Sequence, residues 1–266
     1  MFFHRAKMKK QGGIILKRIF SIFFLLVLFL SGCSSRQPIT ENSQGVWDHY
    51  FVYPMSKLLL VLGHLFHDNY GLAIITLTLI VRFALLPFML KQYKTTMKMQ
   101  ALRPEIEKLQ KKYKNGSVQE QQKLQQEMMA LYQKHGINPL SGCFPVLLQM
   151  PIFMALYYAI SRTEEIKRHS FLWVQLGHQD PYFILPIVAA LTTYISLRLS
   201  PSTTGEKSPQ TMIMSYMMPV MIFIGASSVP SALSLYWVIG GCFSIIQSLM
   251  IRSQTKSLPS VQQSKG

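Results

Sequence analysis

The chain has 266 residues, with 27 Lys+Arg against 11 Asp+Glu and a formal net charge of +16. Hydrophobic residues make up 49% and charged ones only 14%, against roughly 25% charged in a soluble domain, and mean hydropathy is +0.22. These figures exclude an ordinary soluble globular domain and a basic disordered tail that binds nucleic acid, and three cysteines exclude a disulfide scaffold or a multi-cysteine zinc module. A basic, apolar, charge-poor chain points to a polytopic membrane protein, so the positions of the few charges carry the information.

Residues 1–18 hold six basic residues (Arg5, Lys7, Lys9, Lys10, Lys17 and Arg18) and no acid. An apolar run from Ile19 to Leu30 follows, closed by Leu30-Ser31-Gly32-Cys33 and then by polar Ser34 to Pro38. Basic, apolar and small-residue segments in that order are a secretory signal peptide. The last four residues resemble a bacterial lipobox, in which the cysteine takes a diacylglyceryl thioether, the chain is cut before it and the new N-terminus is acylated. Cleavage before Cys33 places the mature N-terminus outside the cytoplasm. An apolar run this short falls below the roughly 20 residues of a span.

The rest divides by charge. Residues 69–90 carry one charge, Arg82, while 142–161 and 182–197 carry none, and Ser208 to Ile251 is a run of 44 residues without a formal charge. As one helix that run would extend about 66 Å, twice the bilayer core. The stretch Gly225 to Ser231, rich in Gly, Ser and Pro, breaks it. Five spans result, at about 69–90, 142–161, 182–199, 210–226 and 231–251. With the N-terminus outside, residues 91–141 are cytoplasmic and hold ten basic and four acidic residues, whereas the outer loop 162–181 holds three of each. The tail adds Arg252, Lys256 and Lys265 with no acid. The positive-inside rule therefore agrees with the lipobox, and much of the charge is topology rather than a nucleic-acid footprint.

The predicted organisation is a signal peptide over 1–32, an extracytoplasmic segment over 33–68, a first transmembrane helix over 69–90 and a cytoplasmic hairpin over 91–141. Transmembrane helices two to five occupy 142–251, and a short cytoplasmic tail occupies 252–266. Within the second segment, residues 46–66 mix Trp47, Tyr50, Phe51 and Tyr53 with Asp48, His49, Lys57 and His64, which suits a helix lying in the outer interface; a plain extension of the first span is the alternative. His49, His64 and His67 are too loosely spaced, and too far from cysteines, for a metal site. In the hairpin, Met99, Leu102, Ile106, Leu109 and Tyr113 repeat at spacings of 3 and 4, as do Leu124, Met128 and Leu131, with a turn at Asn115-Gly116-Ser117. Two such seams predict an antiparallel coiled pair, with Pro104 starting or kinking a helix. Such an arm is either a spacer with a solvated face or a recruitment surface for acidic polypeptide, ribosomal RNA or anionic lipid.

The residue that stands out is Arg82, about eight residues or roughly 12 Å from the cytoplasmic end of its span. A central arginine costs at least about 2.5–3.5 kcal/mol on insertion scales and must face protein or water. No Asp or Glu lies in any predicted span, so its counter-charge must arrive from elsewhere. The other spans offer polar groups of the kind that also pack helices. They are Thr78 one turn before Arg82, Gln149 between Pro145 and Pro151, Thr192 with Ser196, and a face of Trp237, Gly241, Ser244 and Ser248 beside Tyr236, Gly240 and Gln247. Cys143 and Cys242 read as small packing residues. Hydrolase, zinc-protease and phosphate-loop motifs are absent, so an enzyme reading finds no support.

The block Thr78 to Arg82, then Glu127 to Tyr132, Asn138 to Pro145 and Gln149 to Phe153, resembles the YidC/OxaA membrane protein insertases. Asp180-Pro181-Tyr182, Ile184-Leu185-Pro186, Met218-Pro219 and Leu235-Tyr236-Trp237 continue the resemblance over about residues 46–252, and the lipobox and short outer region resemble the Gram-positive lipoprotein members. The resemblance implies an all-α polytopic membrane protein: five transmembrane helices around a hydrophilic groove, a cytoplasmic helical hairpin and an outer interfacial helix. Its function would be insertion and chaperoning of membrane proteins at the bacterial plasma membrane, without ATP, cofactor or metal beyond the lipid on Cys33. The implied groove residues are Arg82, Thr78, Gln149, Thr192, Ser196, Tyr236 and Trp237, with Arg82 attracting the acidic outer tail of a client. Leu197 stands where some relatives carry a groove glutamine, which leaves Thr192 and Ser196 as its substitutes. Implied partners are nascent membrane proteins, the Sec translocon, ribosome–nascent chain complexes and membrane lipid, with no sequence-specific nucleic acid and a functional monomer. Rival readings are a small transporter or channel for an anionic solute, and a structural assembly factor docking through the hairpin.

Overall fold

The computed structural model describes residues 38–41, 43, 45–113, 117–138, 144–200 and 209–256. The signal segment, Cys33, the Asn115-Gly116 turn, the Pro139 to Cys143 stretch and the chain beyond 256 lie outside the described residues. A short π-helical turn, Asp48–Val52, runs without a break into α1, Tyr53–Leu65, with Pro54 at its start. His67 and Asp68 then adopt left-handed backbone, with φ of 55° and 62°, and stop the helix. The helix α2, Tyr70–Ala101, restarts at once, its first turn capped by the Asn69 side chain, which accepts from Leu72 N–H at 3.1 Å. The 46–66 segment is therefore a separate helix and not an extension of the first span. It packs along α2 because Gly63 has no side chain: a Cβ there would overlap the Tyr70 ring.

At 32 residues, α2 is about 48 Å long and continues past the predicted end at residue 90 into the arm. The break comes at the buried Leu102, after which α3 spans Arg103–Lys112 with Pro104 in its first turn. Thus the first predicted seam is divided between two helices. The second arm, α4, spans Val118–Lys134, and the Glu120 carboxylate accepts from Ser117 N–H at 2.8 Å to satisfy its N-terminus. Glu127 joins the two arms, accepting from Tyr113 OH at 2.8 Å and from Lys112 Nζ at 3.4 Å. The Tyr113 hydrogen bond, with help from the Lys112 charge, holds the Glu127 carboxyl below its ordinary value of 4.5. A carboxyl whose folded pKa is depressed stabilises the fold above that ordinary value, and the contribution is lost as pH falls through the depressed one. Spin labels on Lys108 and Lys123 are therefore expected to give a narrow distance distribution at about pH 7 and a broad one below about pH 4. Glu127→Gln should give one width at both, and an unchanged pH response in that variant would refute this role.

The remaining elements are α5, Phe144–Arg162, a single turn α6, Glu164–Arg168, the strands β1, Ser170–Phe171, and β2, Val174–Gln175, and three helices α7, Ile184–Leu199, α8, Pro209–Ser228, and α9, Ser231–Lys256. The strands pair antiparallel, Ser170 opposite Gln175 and Phe171 opposite Val174. The chain is thus mostly helical, with this hairpin the one addition to the all-α expectation among the described residues. By length and composition alone, two helices among the described residues are long and apolar enough to cross a membrane, Tyr70–Ala101 and Ser231–Ser253.

Packing is unequal along the helices. In α2 the buried residues run from Tyr70 to Thr78 and then stop, in α7 from Leu185 to Thr192, and in α9 the buried apolar side chains end at Val238. In α5 they lie at the other terminus, from Ala155 to Arg162. All four helices are packed at the end that carries α6 and the β-hairpin, the cap end, and are less buried toward the end that carries α3 and α4, the arm end. Cys242, expected to be a packing residue, is exposed, while its neighbours Gly241, Phe243 and Ser244 are the ones that meet other helices.

Polar contacts lock the cap end. Asp180 is buried; its carboxylate accepts from Leu185 N–H at 2.7 Å, Tyr182 N–H at 3.1 Å and Trp173 Nε1 at 3.2 Å. It thereby supplies the acceptor that Phe183, in left-handed backbone at the N-cap of α7, does not provide. Ser231 N–H donates to His178 O at 2.7 Å and Ser231 Oγ to Gln175 O at 2.7 Å, which pins the start of α9 to the β-hairpin. Ser56 and Thr163 share a hydroxyl hydrogen bond at 2.7 Å. Arg162 Nη1 lies 2.9 Å from both carboxylate oxygens of Asp48, with both residues buried. A segment that the charge pattern presents as a balanced outer loop is a folded lid on the helices.

Candidate functional site

The predicted polar residues gather where the packed half of the helices gives way to the less covered half. Thr78 is the last buried residue of α2, and its hydroxyl is turned back onto its own helix, donating to Ile74 O at 2.6 Å. One turn further, Arg82 reaches across to α9, where Nη1 donates to Ser244 Oγ over 3.5 Å, long for a hydrogen bond. Ser244 spends its own hydrogen on Gly240 O at 2.8 Å. Arg82 Nε is buried without a hydrogen-bond partner among the described residues. The guanidinium rests on Gly240: a Cβ built there would collide with Nη2 and stand 3.1 Å from Cζ. Gly240 is thus the seat of Arg82, and only a residue without a side chain leaves room for it.

The other groups join α9 to its neighbours. Gln149 of α5 donates through Nε2 to the hydroxyl of Tyr236, which is itself buried. Trp237 stacks on Phe153 of α5, with ring centroids 4.9 Å apart and 18° between planes. Thr192 of α7 is buried against Gly241 of α9, and its hydroxyl is taken up by Val188 O at 2.9 Å and Ala189 O at 3.0 Å. Ser196 lies one turn toward the arm end and is half-buried. The helix α9 is therefore the hub, meeting Arg82, Gln149 and Thr192 on three other helices.

Reading residue types did not single out Gly240 and Ser244 from other small residues, since their role is defined by a side chain on another helix. It also missed the Asp48–Arg162 pair. The available signal was a lone acid within an aromatic run and an arginine directly after a charge-free stretch. Among the described residues no group of three His, Cys, Asp or Glu is placed to hold a metal ion.

Fold and site together define a mostly helical protein with a cationic polar cluster between apolar helices. A profile of the family described as 60Kd inner membrane protein matches residues 61–258. The chain is 52% identical over 246 residues to membrane protein insertase YidC 2 of Bacillus anthracis, covering 92% of this chain and 94% of that protein. To membrane protein insertase MisCA of Bacillus subtilis strain 168 it is 47% identical over 261 residues, 97% and 98% of the two chains. A crystal structure of active YidC insertase, with its first transmembrane domain resolved, superposes with a TM-score of 0.62 at 29% identity. That match covers 78% of this chain and 47% of the longer one, so the chain spans about half of that protein. The chain belongs to the 60Kd inner membrane protein family, the family of the YidC insertases.

Proposed function

We propose that the protein is a membrane protein insertase and chaperone that makes and breaks no covalent bond. The observation that carries this reading is the placement of Arg82. Among the described residues it is a cation with one long hydrogen bond and an unpartnered Nε, seated where tightly packed helices become less covered. In this reading α2, α5, α7, α8 and α9 cross the plasma membrane, with the N-terminus and cap end outside and the C-terminus and arm end in the cytoplasm. The locked cap closes the groove to the outside, and the arm end opens it to the cytoplasm and to lipid. An acidic client tail enters toward Arg82, and the client's apolar segment moves into lipid, driven by its own burial. The buried hydroxyls of Thr78 and Thr192 shape the groove wall, whereas Gln149, Ser196 and Trp237 are accessible enough to meet the client; Tyr236 is reached through Gln149. Lipidation of Cys33 anchors the mature N-terminus, and the protein works as a monomer, alone or with the Sec translocon, on clients that ribosomes deliver. A solute channel would need an opening at the cap, which the Asp180, Ser231 and Asp48–Arg162 contacts occupy.

Photocrosslinkers at Gln149, Ser196 and Trp237 are expected to capture a stalled client, while one at Leu172, exposed on the cap hairpin, captures none. Capture from Leu172 alone would overturn the groove. Gly240→Ala should push the guanidinium from its seat and lower insertion of an acidic-tailed client about tenfold, equivalent to ~1.4 kcal/mol. A client with a neutral tail should insert as before. Equal loss for both clients would mean that Gly240 serves packing alone.

A further inference from the structure

At the arm end of α7 and α8 a second arginine is built into a donor cluster. Arg198 Nε donates to Tyr194 OH at 3.1 Å and Nη2 to Tyr216 OH at 2.7 Å. Its Cζ lies 5.1 Å and 5.2 Å from the two ring centroids, which are 6.1 Å apart. Nε and Nη2 form one edge of the planar guanidinium, so that edge is fixed on two hydroxyls from two helices. The opposite edge, with Nη1, has no hydrogen-bond partner among the described residues, and Arg198 is exposed. Each tyrosine hydroxyl accepts from Arg198 and keeps its own hydrogen to donate. The result is a set of three donor groups around one positive charge, with no carboxylate against it among the described residues.

We infer that Arg198, Tyr194 and Tyr216 bind the phosphate of an anionic phospholipid headgroup at the arm-end surface of the membrane. The donor set by itself suits any phosphate, but the surface leading away from it selects a lipid. On α7, Ile187, Leu191 and Ile195 are exposed at spacings of 4 on the face that ends at Arg198. On α8, Val220 and Ile224 are exposed on the face that begins at Tyr216. From Arg198 back to Ile187 is about 16 Å of helix, close to the roughly 15 Å of one leaflet's hydrocarbon. Headgroup donors and an acyl-chain track thus lie in line, at the membrane face where anionic lipids attract basic groups. The inference rests on the reading that α7 and α8 cross the membrane.

The test is retention of lipid by the full-length protein in native mass spectrometry, after equilibration with phosphatidylglycerol or phosphatidylcholine vesicles. The unaltered protein is expected to keep one phosphatidylglycerol more than Arg198→Gln, with phosphatidylcholine retained equally by both. Tyr194→Phe with Tyr216→Phe keeps the rings and the charge but removes the hydroxyls, and should also lose that lipid. Arg198→Lys, which cannot fork to two hydroxyls, should retain it only in part. Undiminished phosphatidylglycerol in Arg198→Gln would overturn the site, and its displacement by inorganic phosphate at equal concentration would reassign it to free phosphate. The spanning reading is checked separately in the same vesicles. Leu191→Cys, in a chain with Cys143 and Cys242 replaced by serine, should resist a water-soluble maleimide. Labelling there would remove the membrane premise, whereas resistance with unchanged lipid retention would remove the site alone.

Discussion

Arg82→Ala is expected to lower insertion of a client with an acidic outer tail by about ten- to a hundredfold in proteoliposomes, corresponding to roughly 1.5–3 kcal/mol for a hydrogen bond to a charged group. Arg82→Lys should keep most of the activity, because attraction of a carboxylate into the groove needs the charge more than the fork. The fold should not suffer. Among the described residues Arg82 makes one 3.5 Å hydrogen bond and leaves Nε unpartnered, so little is lost when it goes. In the proposed orientation, removing this cation from the membrane interior also relieves a cost of at least about 2.5–3.5 kcal/mol. The Ala variant should therefore be as stable as the parent or more so, and less active, the usual signature of a residue kept for function. Equal insertion by the Ala and Lys variants would remove the charge-attraction mechanism, as would a neutral-tailed client that suffers as much as an acidic one.

Breaking the Asp48–Arg162 pair should have the largest effect on stability. Both side chains are buried and their closest contacts are 2.9 Å, so deleting one leaves the other as an uncompensated charge. Asp48→Ala is expected to destabilise the protein by about 3–5 kcal/mol, a fall in Tm of roughly 10 °C. Replacing both partners with apolar residues of similar size, Asp48→Leu with Arg162→Met, should recover most of that loss, since the penalty comes from the orphaned charge and not from the lost attraction. The pair ties the start of the π-helical turn to the end of α5, two ends 114 positions apart. Client insertion at a temperature where both variants are folded should be nearly unchanged. If the double variant were no more stable than the single one, the pair would be contributing a specific geometry that apolar packing cannot replace.

The contrast between these two arginines marks the limit of what could be read in advance. One interrupts a charge-free stretch and the other directly follows one, yet Arg82 is seated on a glycine with one weak partner, and Arg162 is neutralised by an aspartate from another element. Sequence spacing does not distinguish them, because the partner in each case comes from a distant part of the chain. The helices themselves were legible, since a long charge-free run has few other uses; α7 and α9 begin within a few residues of the expected positions. The division of the first hairpin arm at Leu102 was not, because the 3-and-4 spacing of apolar residues continues across the break while Pro104 resets the backbone. The β-hairpin was hidden because strands of two residues carry no periodicity.

The excess of 27 basic over 11 acidic residues still describes the protein, but its parts differ in kind. The sequence by itself determined the class, an apolar chain with its basic residues segregated, because hydropathy and charge are sums over local composition. It also marked Arg82, because a cation without a carboxylate in any apolar stretch is visible from one residue and its flanks. Only the tertiary structure decided that Gly240 seats that arginine, that Gln149 reaches Tyr236, that Asp180 caps α7, and that the bundle is tight at the cap end and less covered at the arm end. Those features are contacts between residues far apart in the chain, and they exist only once helices of fixed length have packed against one another.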